Sequence, residues 1–151
     1  MASGPWTFFG KSKQHLMDGS IDLDSDTFRM SLFTSGSNTE TNAPSLSVIG
    51  GVTGEVAGAF GYATSGKTIN GVTWGQGASA GEVRFNGAAT VWSATGGNIA
   101  NIKYAIVWKM GPSAGARKVL FYSKLSASQF TVTTGNSLTV QTAANGFFEL
   151  N

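Results

Sequence analysis

The sequence predicts an all-β protein, specifically a jelly-roll-like β-sandwich with one short N-terminal helix and an extended N-terminal arm. Three observations lead to this fold class. Short segments in which apolar and polar residues alternate recur at a spacing of roughly ten residues, which is typical of sandwiches and barrels. The 151 residues include 21 glycines, which favour tight turns. Only 12% of the residues are charged, and frequent hydroxyl side chains fit strands joined by turns.

The chain length fits a single domain. Domains typically contain about 100–150 residues, and no composition shift marks a linker within the 151 residues. We therefore interpret residues 1–10 as the arm and residues 11–151 as one β-sandwich domain. About eight or nine strands fit into this length, which favours a jelly roll. Cysteine is absent, so we expect no disulfide, thiol chemistry or cysteine zinc site.

The N-terminal segment changes character near residue 10. The arm carries Trp6, Phe8 and Phe9. Three aromatic side chains are costly to leave exposed, so we expect them to dock on this subunit or on a neighbour. Residues 11–18 predict a short helix, which Gly19 closes.

From residue 27 onward, the pattern indicates strands. Phe28, Met30 and Leu32 share one face of the first strand. Residues 44–50 could form one helical turn, and the glycines of 50–62 predict irregular or bulged strand. The predicted strands are 27–33, 67–74, 82–86, 90–94, 101–110, 117–125, 130–134, 137–143 and 147–150.

The clearest strand candidate is 101–110, followed by a turn-rich loop at 111–116 and a hairpin partner at 117–125. Further turn signals lie at 134–136 and at 145–146. One face of this strand is predicted to carry Ile102, Tyr104, Ile106 and Trp108. The opposite face is predicted to carry Lys103, Ala105, Val107 and Lys109.

Charge and hydropathy argue against two classes of partner. The net charge is +2 and the basic residues are scattered, so we expect no nucleic-acid binding. No apolar stretch approaches the ~20 residues of a transmembrane helix, so we expect no membrane partner. Lys11 and Lys13 interrupt the N-terminal apolar run, which therefore does not resemble a signal peptide. We expect synthesis in a cytoplasm.

Residues 61–68 match the P-loop pattern G-x-x-x-x-G-K-[ST]. Nucleotide binding also requires a helix after the loop, whose N-terminal amides hold phosphate. Residues 69–74 are rich in β-branched side chains and contain Gly71, which disfavours a helix. The competing interpretation is a glycine-rich turn that enters a strand.

Asp22, Asp24 and Asp26 have the spacing of a calcium-binding loop. Thr27 stands where such a loop has glycine, and Phe33 stands where it has glutamate. A calcium site of another type and an acidic turn before the first long strand both remain open.

His15 is the single histidine, and serines are frequent. A serine hydrolase requires a geometry that sequence does not show, and a surface or interface histidine is the alternative. Glu55, Glu82 and Glu149 lie in separate segments and receive no catalytic role. We predict no catalytic residues, no cofactor and no metal ligands, so the protein is not expected to be an enzyme.

Trp74, Trp92 and Trp108 lie within strand patterns. Tryptophan at such positions is typical of a core or of a subunit interface. Stacking on sugars or bases is the alternative use of these rings.

Residues 19–35, with the sequence GSIDLDSDTFRMSLFTS, resemble a recurring opening in small virion proteins of tailed phages. The glycine-tyrosine stretch at 58–67 and the segments 72–74, 83–86, 91–94 and 104–108 keep the order of later strands in that family. The resemblance covers most of residues 11–143 and does not include the aromatic arm. Similar proteins are head decoration (cement) proteins, and others are tail or structural proteins. The resemblance implies no catalytic residues, and it implies that residues 22–26 form a structural turn.

The resemblance, the low charge and the aromatic arm together predict a capsid decoration protein on the head surface of a virion. Its expected partners are the major capsid protein and further copies of itself, as a trimer or dimer. The alternative is a tail or fibre component that binds a host glycan. Loops 35–44 and 111–116 and the arm are the expected contact regions. The residues expected to contact the capsid or another copy are Trp6, Phe8, Phe9, Lys11, Asn38, Asn42 and Arg117.

Overall fold

A computed structural model describes residues 5–151. Of these residues, 37% lie in strands and 10% in helices, with one α-helix, which confirms the all-β class. Among the described residues, two short 3-10 turns lie at Ile49–Gly51 and Ala114–Ala116. The remaining elements are β1 (Trp6–Phe8), α1 (Gly10–Met17), β2 (Phe28–Phe33), β3 (Lys67–Thr68), β4 (Thr73–Gln76), β5 (Val83–Asn86), β6 (Thr90–Ser93), β7 (Ile99–Ile102), β8 (Tyr104–Lys109), β9 (Val119–Lys124), β10 (Phe130–Val132), β11 (Ser137–Val140) and β12 (Phe148–Leu150).

The central element is a five-stranded antiparallel sheet in the order β1-β9-β8-β2-β3. Three smaller antiparallel sheets, β12-β5-β4, β11-β6 and β10-β7, supply the other strands. Phe28, Met30 and Leu32 of β2 belong to the larger hydrophobic cluster, which also holds Phe85 of β5 and Trp92 of β6. This cluster joins the central sheet to the smaller sheets, and it accounts for the alternation seen in the sequence of β2.

The opposite face of the central sheet is also covered. A second cluster contains Phe9, Leu46 and Val52 together with Ile106 and Trp108 of β8. The helix α1 is linked to β9 by the Ser12 hydroxyl, which donates to the Val119 carbonyl (2.8 Å). The central sheet is therefore buried on both faces, which a one-sided alternation does not predict. Ala105 and Val107 were predicted to lie on the face opposite Ile106, and they do pack in the larger cluster. They are as deeply buried as Ile106.

Two segments that were predicted as single strands are divided. Residues 99–109 form β7 and β8, which belong to different sheets. Asn101 has a positive φ of 63°, and the Lys103 amide donates to the Phe33 carbonyl instead of continuing the β7 ladder. As a consequence, Ile102 packs in the larger cluster and Tyr104 in the second cluster, so their predicted common face is wrong.

Residues 67–74 divide in the same way into β3, on the central sheet, and β4, on a small sheet. Gly71 lies between the two strands with a φ of 58°, a left-handed conformation that glycine adopts without strain. The turn residues Gly135 and Gly146 also have positive φ values, of 87° and 78°, which confirms the turns predicted at these positions.

The N-terminal aromatic residues dock on their own subunit. Trp6, Thr7 and Phe8 pair antiparallel with Ser123, Tyr122 and Phe121 of β9. The Phe9 side chain has 0% exposure within the second cluster. Residues 6–8 are therefore the edge strand of the central sheet, and Phe9 has no exposed surface for the neighbour contact that the sequence suggested.

The buried position of Phe9 predicts a large effect on stability. The Phe9→Ala variant should lose about 3–5 kcal/mol of the free energy of unfolding, because truncation of a buried phenylalanine leaves a cavity. Urea unfolding measures this loss. Thr7→Ala is the matched control, since Thr7 lies on the same arm but is exposed, and it should change the value by no more than about 0.5 kcal/mol. Equal, small effects of both variants would contradict the docking of the arm.

Candidate functional site

An apolar groove of about 590 Å³ opens on the surface of the described part of the chain. Its walls come from α1, from the loop at 19–24 and from the small sheet that contains β4 and β12. We call this surface the α1 groove. Its apolar lining is formed mainly by Phe8, Leu16, Met17, Trp74, Phe148 and Leu150. A groove of this size and character is the default binding site of a protein.

The groove is a continuation of the hydrophobic core to the surface. Strand pairing places Trp74, Phe85 and Phe148 opposite one another on one face of the small sheet. Phe85 is fully buried and packs against Phe121 of the central sheet (ring centroids 5.9 Å apart). Trp74 and Phe148 are only partly buried, because they line the groove. The core thus ends in an open apolar surface on this side of the molecule.

Two apolar side chains project from the groove into solvent. Met17, the last residue of α1, is 89% exposed, and Leu150 of β12 is 54% exposed. Ser12 and His15 form the buried side of α1, and Met17 lies on the opposite side of the helix. Exposed apolar side chains beside an apolar groove make this surface a candidate for binding another molecule. Methionine is well suited to this role because its flexible side chain adapts to irregular partners.

The rim of the groove carries charges of both signs, contributed by Lys13, Asp22 and Asp24. Lys13 and Asp24 have no side-chain hydrogen bond or ion pair within residues 5–151. The Asp22 carboxylate, in contrast, accepts hydrogen bonds from the Asp24 amide (2.9 Å) and the Ser25 amide (3.3 Å). Hydrogen bonds from Ser25 and Asp24 hold the pKa of Asp22 below its usual range. The groove therefore carries one cation and two anions, of which Lys13 and Asp24 have no partner among the described residues.

The acidic segment beside the groove folds as a turn. The Asp26 carboxylate accepts from the Asp22 amide (2.7 Å) and forms an ion pair with Lys109 (3.0 Å). The Lys109 ammonium group also donates to the Ser20 carbonyl (2.7 Å), which ties the turn to β8. Within the described part of the chain, no group of three or more His, Asp or Glu side chains is arranged to hold a metal ion.

The P-loop-like segment is a turn that enters strand β3. The Glu55 carboxylate accepts hydrogen bonds from the Ser65 amide (2.6 Å) and from the Tyr62 hydroxyl (2.7 Å). A loop amide of the kind that would bind phosphate is thus already bound by a carboxylate. Gly66 (φ 62°) packs so closely on the Met30 carbonyl that a Cβ atom would clash with it. The glycine of the motif serves the packing of the loop on β2, and no helix follows it.

His15 lies next to a serine that the sequence did not single out. Its Nε2 atom is 2.8 Å from the Ser47 Oγ atom, and its Nδ1 atom is 4.0 Å from the Asp18 carboxylate. The second distance exceeds a hydrogen bond, and Asp18 instead accepts from the Ser20 amide (2.9 Å). Burial, followed by the charge of Lys118, lowers the pKa of His15 from its usual 6.5. The three side chains are neighbours, but Asp18 does not orient the imidazole as a catalytic triad requires.

Several of the expected contact residues hold their own loops in place. The Asn38 side chain accepts from the Thr53 amide (2.9 Å) and donates to the Gly51 carbonyl (3.1 Å). Arg117 Nε donates to the Gly111 carbonyl across the β8–β9 loop (3.2 Å). Lys11 and Asn42 are exposed. Phe8 is the one member of the expected set that lines the α1 groove.

The tryptophans divide between core and groove. Trp92 and Trp108 are 0% and 1% exposed, so neither ring is accessible for stacking on a sugar or a base. Trp6 packs edge-on against Phe147 (5.0 Å). Trp74 is the tryptophan that lines the α1 groove.

One local feature of the sequence relates to the groove. Leu16 and Met17 are adjacent in the helix, and neighbouring helical residues point about 100° apart. A short helix whose buried side is formed by Ser12 and His15 cannot bury both Leu16 and Met17. The contributions of Trp74, Phe148 and Leu150 depend on strand pairings between distant segments and carry no local signal.

Comparisons with protein-family models, with curated proteins and with solved structures find no match to this chain. Within residues 5–151, no helix has both the length and the apolar character needed to cross a membrane.

The environment of His15 predicts a pH dependence of stability. Because the pKa of His15 is lower in the folded chain than its usual 6.5, the unfolded chain binds more protons as the pH falls through this region. The free energy of unfolding should therefore decrease as the pH falls from about 7.5 to about 5.5. Urea unfolding at several pH values measures this slope, and His15→Gln should reduce it.

The carboxylates allow a control for this measurement. The pKa values of Asp18, Asp22 and Glu40 are held below their usual range. The main cause for Asp18 and Asp22 is a hydrogen bond from a serine side chain. The main cause for Glu40 is the hydrogen bond from the Tyr104 hydroxyl. Their contribution to stability is lost only at more acidic pH, below about 4. A slope between about pH 7.5 and 5.5 that is unchanged in His15→Gln would contradict the assignment to His15.

Proposed function

We propose that this protein is a capsid decoration (cement) protein of a tailed phage. It binds the outer surface of the head and stabilises contacts between subunits of the major capsid protein. The resemblance of residues 19–35 to small phage virion proteins is the reason for assigning the protein to a phage particle. The α1 groove, an exposed apolar surface on a strand scaffold, is the observation that carries the role in protein binding. The proposal includes a jelly-roll type of sandwich, self-association as a trimer or dimer, and location on the virion head.

The composition of the groove lining favours the binding of another protein over a catalytic role. Its lining is mainly apolar and aromatic, and its charged side chains, Lys13, Asp22 and Asp24, are exposed, which fits a protein interface with an apolar centre. Met17 and Leu150 are already exposed at its edge, so a partner gains apolar contacts without unfolding any element. We therefore assign the binding of another protein chain to this surface.

A decoration protein of this kind needs no catalytic residue. It stabilises the assembled shell by mass action, because it binds the assembled lattice and not the free capsid subunits. A lattice also presents many equivalent sites, so multivalent attachment strengthens contacts that are weak individually. The non-enzymatic role agrees with two contacts described above, in which Glu55 occupies the P-loop-like amide and Asp18 turns away from His15.

A tail or fibre component that binds a host glycan is the second candidate. The observation that favours it is Trp74, whose partly buried ring lines the groove and could stack on a sugar. A glycan array distinguishes the two candidates. The decoration role predicts no glycan binding at high protein concentration, and binding that is lost in Trp74→Ala would favour the tail or fibre role.

The decoration role predicts that binding to the particle depends on the groove. Leu150→Glu places a charge on the apolar surface and should weaken binding to particles that lack this protein by at least about tenfold. Co-sedimentation with such particles measures binding, and electron cryomicroscopy shows whether the added density lies on the head or the tail.

The matched control is Val91→Glu. Val91 is also an exposed strand residue (42%) but lies on β6, outside the groove. It should bind like the unmodified protein, and both variants should keep their thermal stability. Equal binding by Leu150→Glu and Val91→Glu would contradict the role of the groove, and density on the tail alone would contradict the decoration role.

A further inference from the structure

We propose that the α1 groove is occupied by the same groove of a second copy of this chain, so that two copies form a dimer around a two-fold axis. This inference deepens the proposed function and rests on its self-association component. It selects a dimer and assigns its interface. The argument comes from the shape and the charge of the groove.

The shape of the surface is self-complementary. Met17 is a projecting apolar side chain (89% exposed) at the edge of an apolar depression of about 590 Å³. A two-fold axis through such a surface places the projection of each copy in the depression of the other. Both methionines would then leave water, and the partly buried rings of Trp74 and Phe148 would be covered as well. The burial of these side chains supplies the apolar centre that a stable interface requires.

The charges on the rim follow the same symmetry. Lys13 projects from α1 and Asp24 from the loop at 19–24, and neither has a partner among the residues that the structure describes. In a two-fold interface, a contact from Lys13 of one copy to Asp24 of the other occurs twice. Ion pairs at an interface rim contribute little affinity each, but they fix the orientation of the partners.

A second copy has the apolar projection and the two charges that a partner of the groove would need. A different partner would need its own apolar projection, one cation and one anion in a matching arrangement. This chain carries all three at a single place, in Met17, Lys13 and Asp24. The net charge of +2 adds little repulsion between copies.

The first test is the oligomeric state of the purified full chain by sedimentation velocity over the micromolar range. The unmodified chain should dimerise, and Met17→Glu should weaken self-association by at least about tenfold. Met110→Glu is the matched control, because Met110 is exposed (36%) and lies outside the groove. It should dimerise like the unmodified chain.

The second test exchanges the charges. Lys13→Glu and Asp24→Lys should each weaken the dimer, because each variant has two repulsive contacts when paired with itself. A mixture of the two variants should form a heterodimer, since one contact regains its original pair and the other has the pair reversed. The double variant K13E/D24K should also dimerise. Restored association on mixing the two single variants is expected only if the groove binds a second copy.

The outcomes separate this inference from the proposed function. A monomeric chain throughout the micromolar range, or a failure of the mixed variants to associate, would overturn the dimer. If particle binding still depends on Leu150 in that case, the occupant of the groove is the capsid protein and the decoration role stands. A dimer that follows the charge exchange but does not bind particles would support the interface and refute the decoration role.

Discussion

The packing of aromatic rings around Phe121 is the interaction on which the rest of the structure depends. Phe121 lies on β9 and is 1% exposed. It contacts Phe8 of β1 (5.6 Å) and, on the small sheet, Phe85 (5.9 Å) and Phe148 (6.0 Å) between ring centroids. Phe147 stacks on it at 5.0 Å. Aromatic rings in such arrangements stabilise by burial and by about 0.5–1.5 kcal/mol per pair from their geometry.

This cluster brings together segments from both ends of the described chain. Strand β1 begins at Trp6 and strand β12 ends at Leu150, and both pack on the same phenylalanine of the central sheet. The α1 groove is a direct result, because Phe8 and Phe148 are members of the cluster and also line the groove. The candidate site is thus the solvent-exposed end of the interaction that holds the sheets together.

Local patterns in the sequence predicted most of the strand-forming segments, but neither the points where two of them divide nor their assembly into sheets. Alternation in residues 27–33 predicted β2 and its buried face, because the side-chain period of a strand is visible within seven residues. The change of sheet between Ile102 and Tyr104 was not predictable, because it depends on a bond from Lys103 to Phe33, which lies far away in sequence. The burial of both faces of β8 likewise depends on Leu46 and Val52 from a distant loop.

The candidate site was less predictable than the fold for the same reason. The polar residues among the expected contacts were chosen because they lie in or beside loops, but Asn38 binds the backbone of residues 51–53 and Arg117 binds the loop that precedes it. The aromatic arm was expected to dock on its own subunit or on a neighbour, and its docking on its own subunit makes Phe8 a wall of the groove. The glycines of the P-loop-like motif were correctly interpreted as a turn, because the β-branched residues after them exclude a helix.

The most direct test of this account is a double-mutant cycle between Phe8 and Phe148, whose rings are 4.9 Å apart across two sheets. Phe8→Leu, Phe148→Leu and the double variant are compared by their free energies of unfolding in urea. The account predicts a coupling energy of about 0.5–1.5 kcal/mol, because each ring loses its partner when the other is replaced. Strictly additive effects would contradict the claim that the aromatic cluster joins β1 to β12 and holds the walls of the α1 groove together.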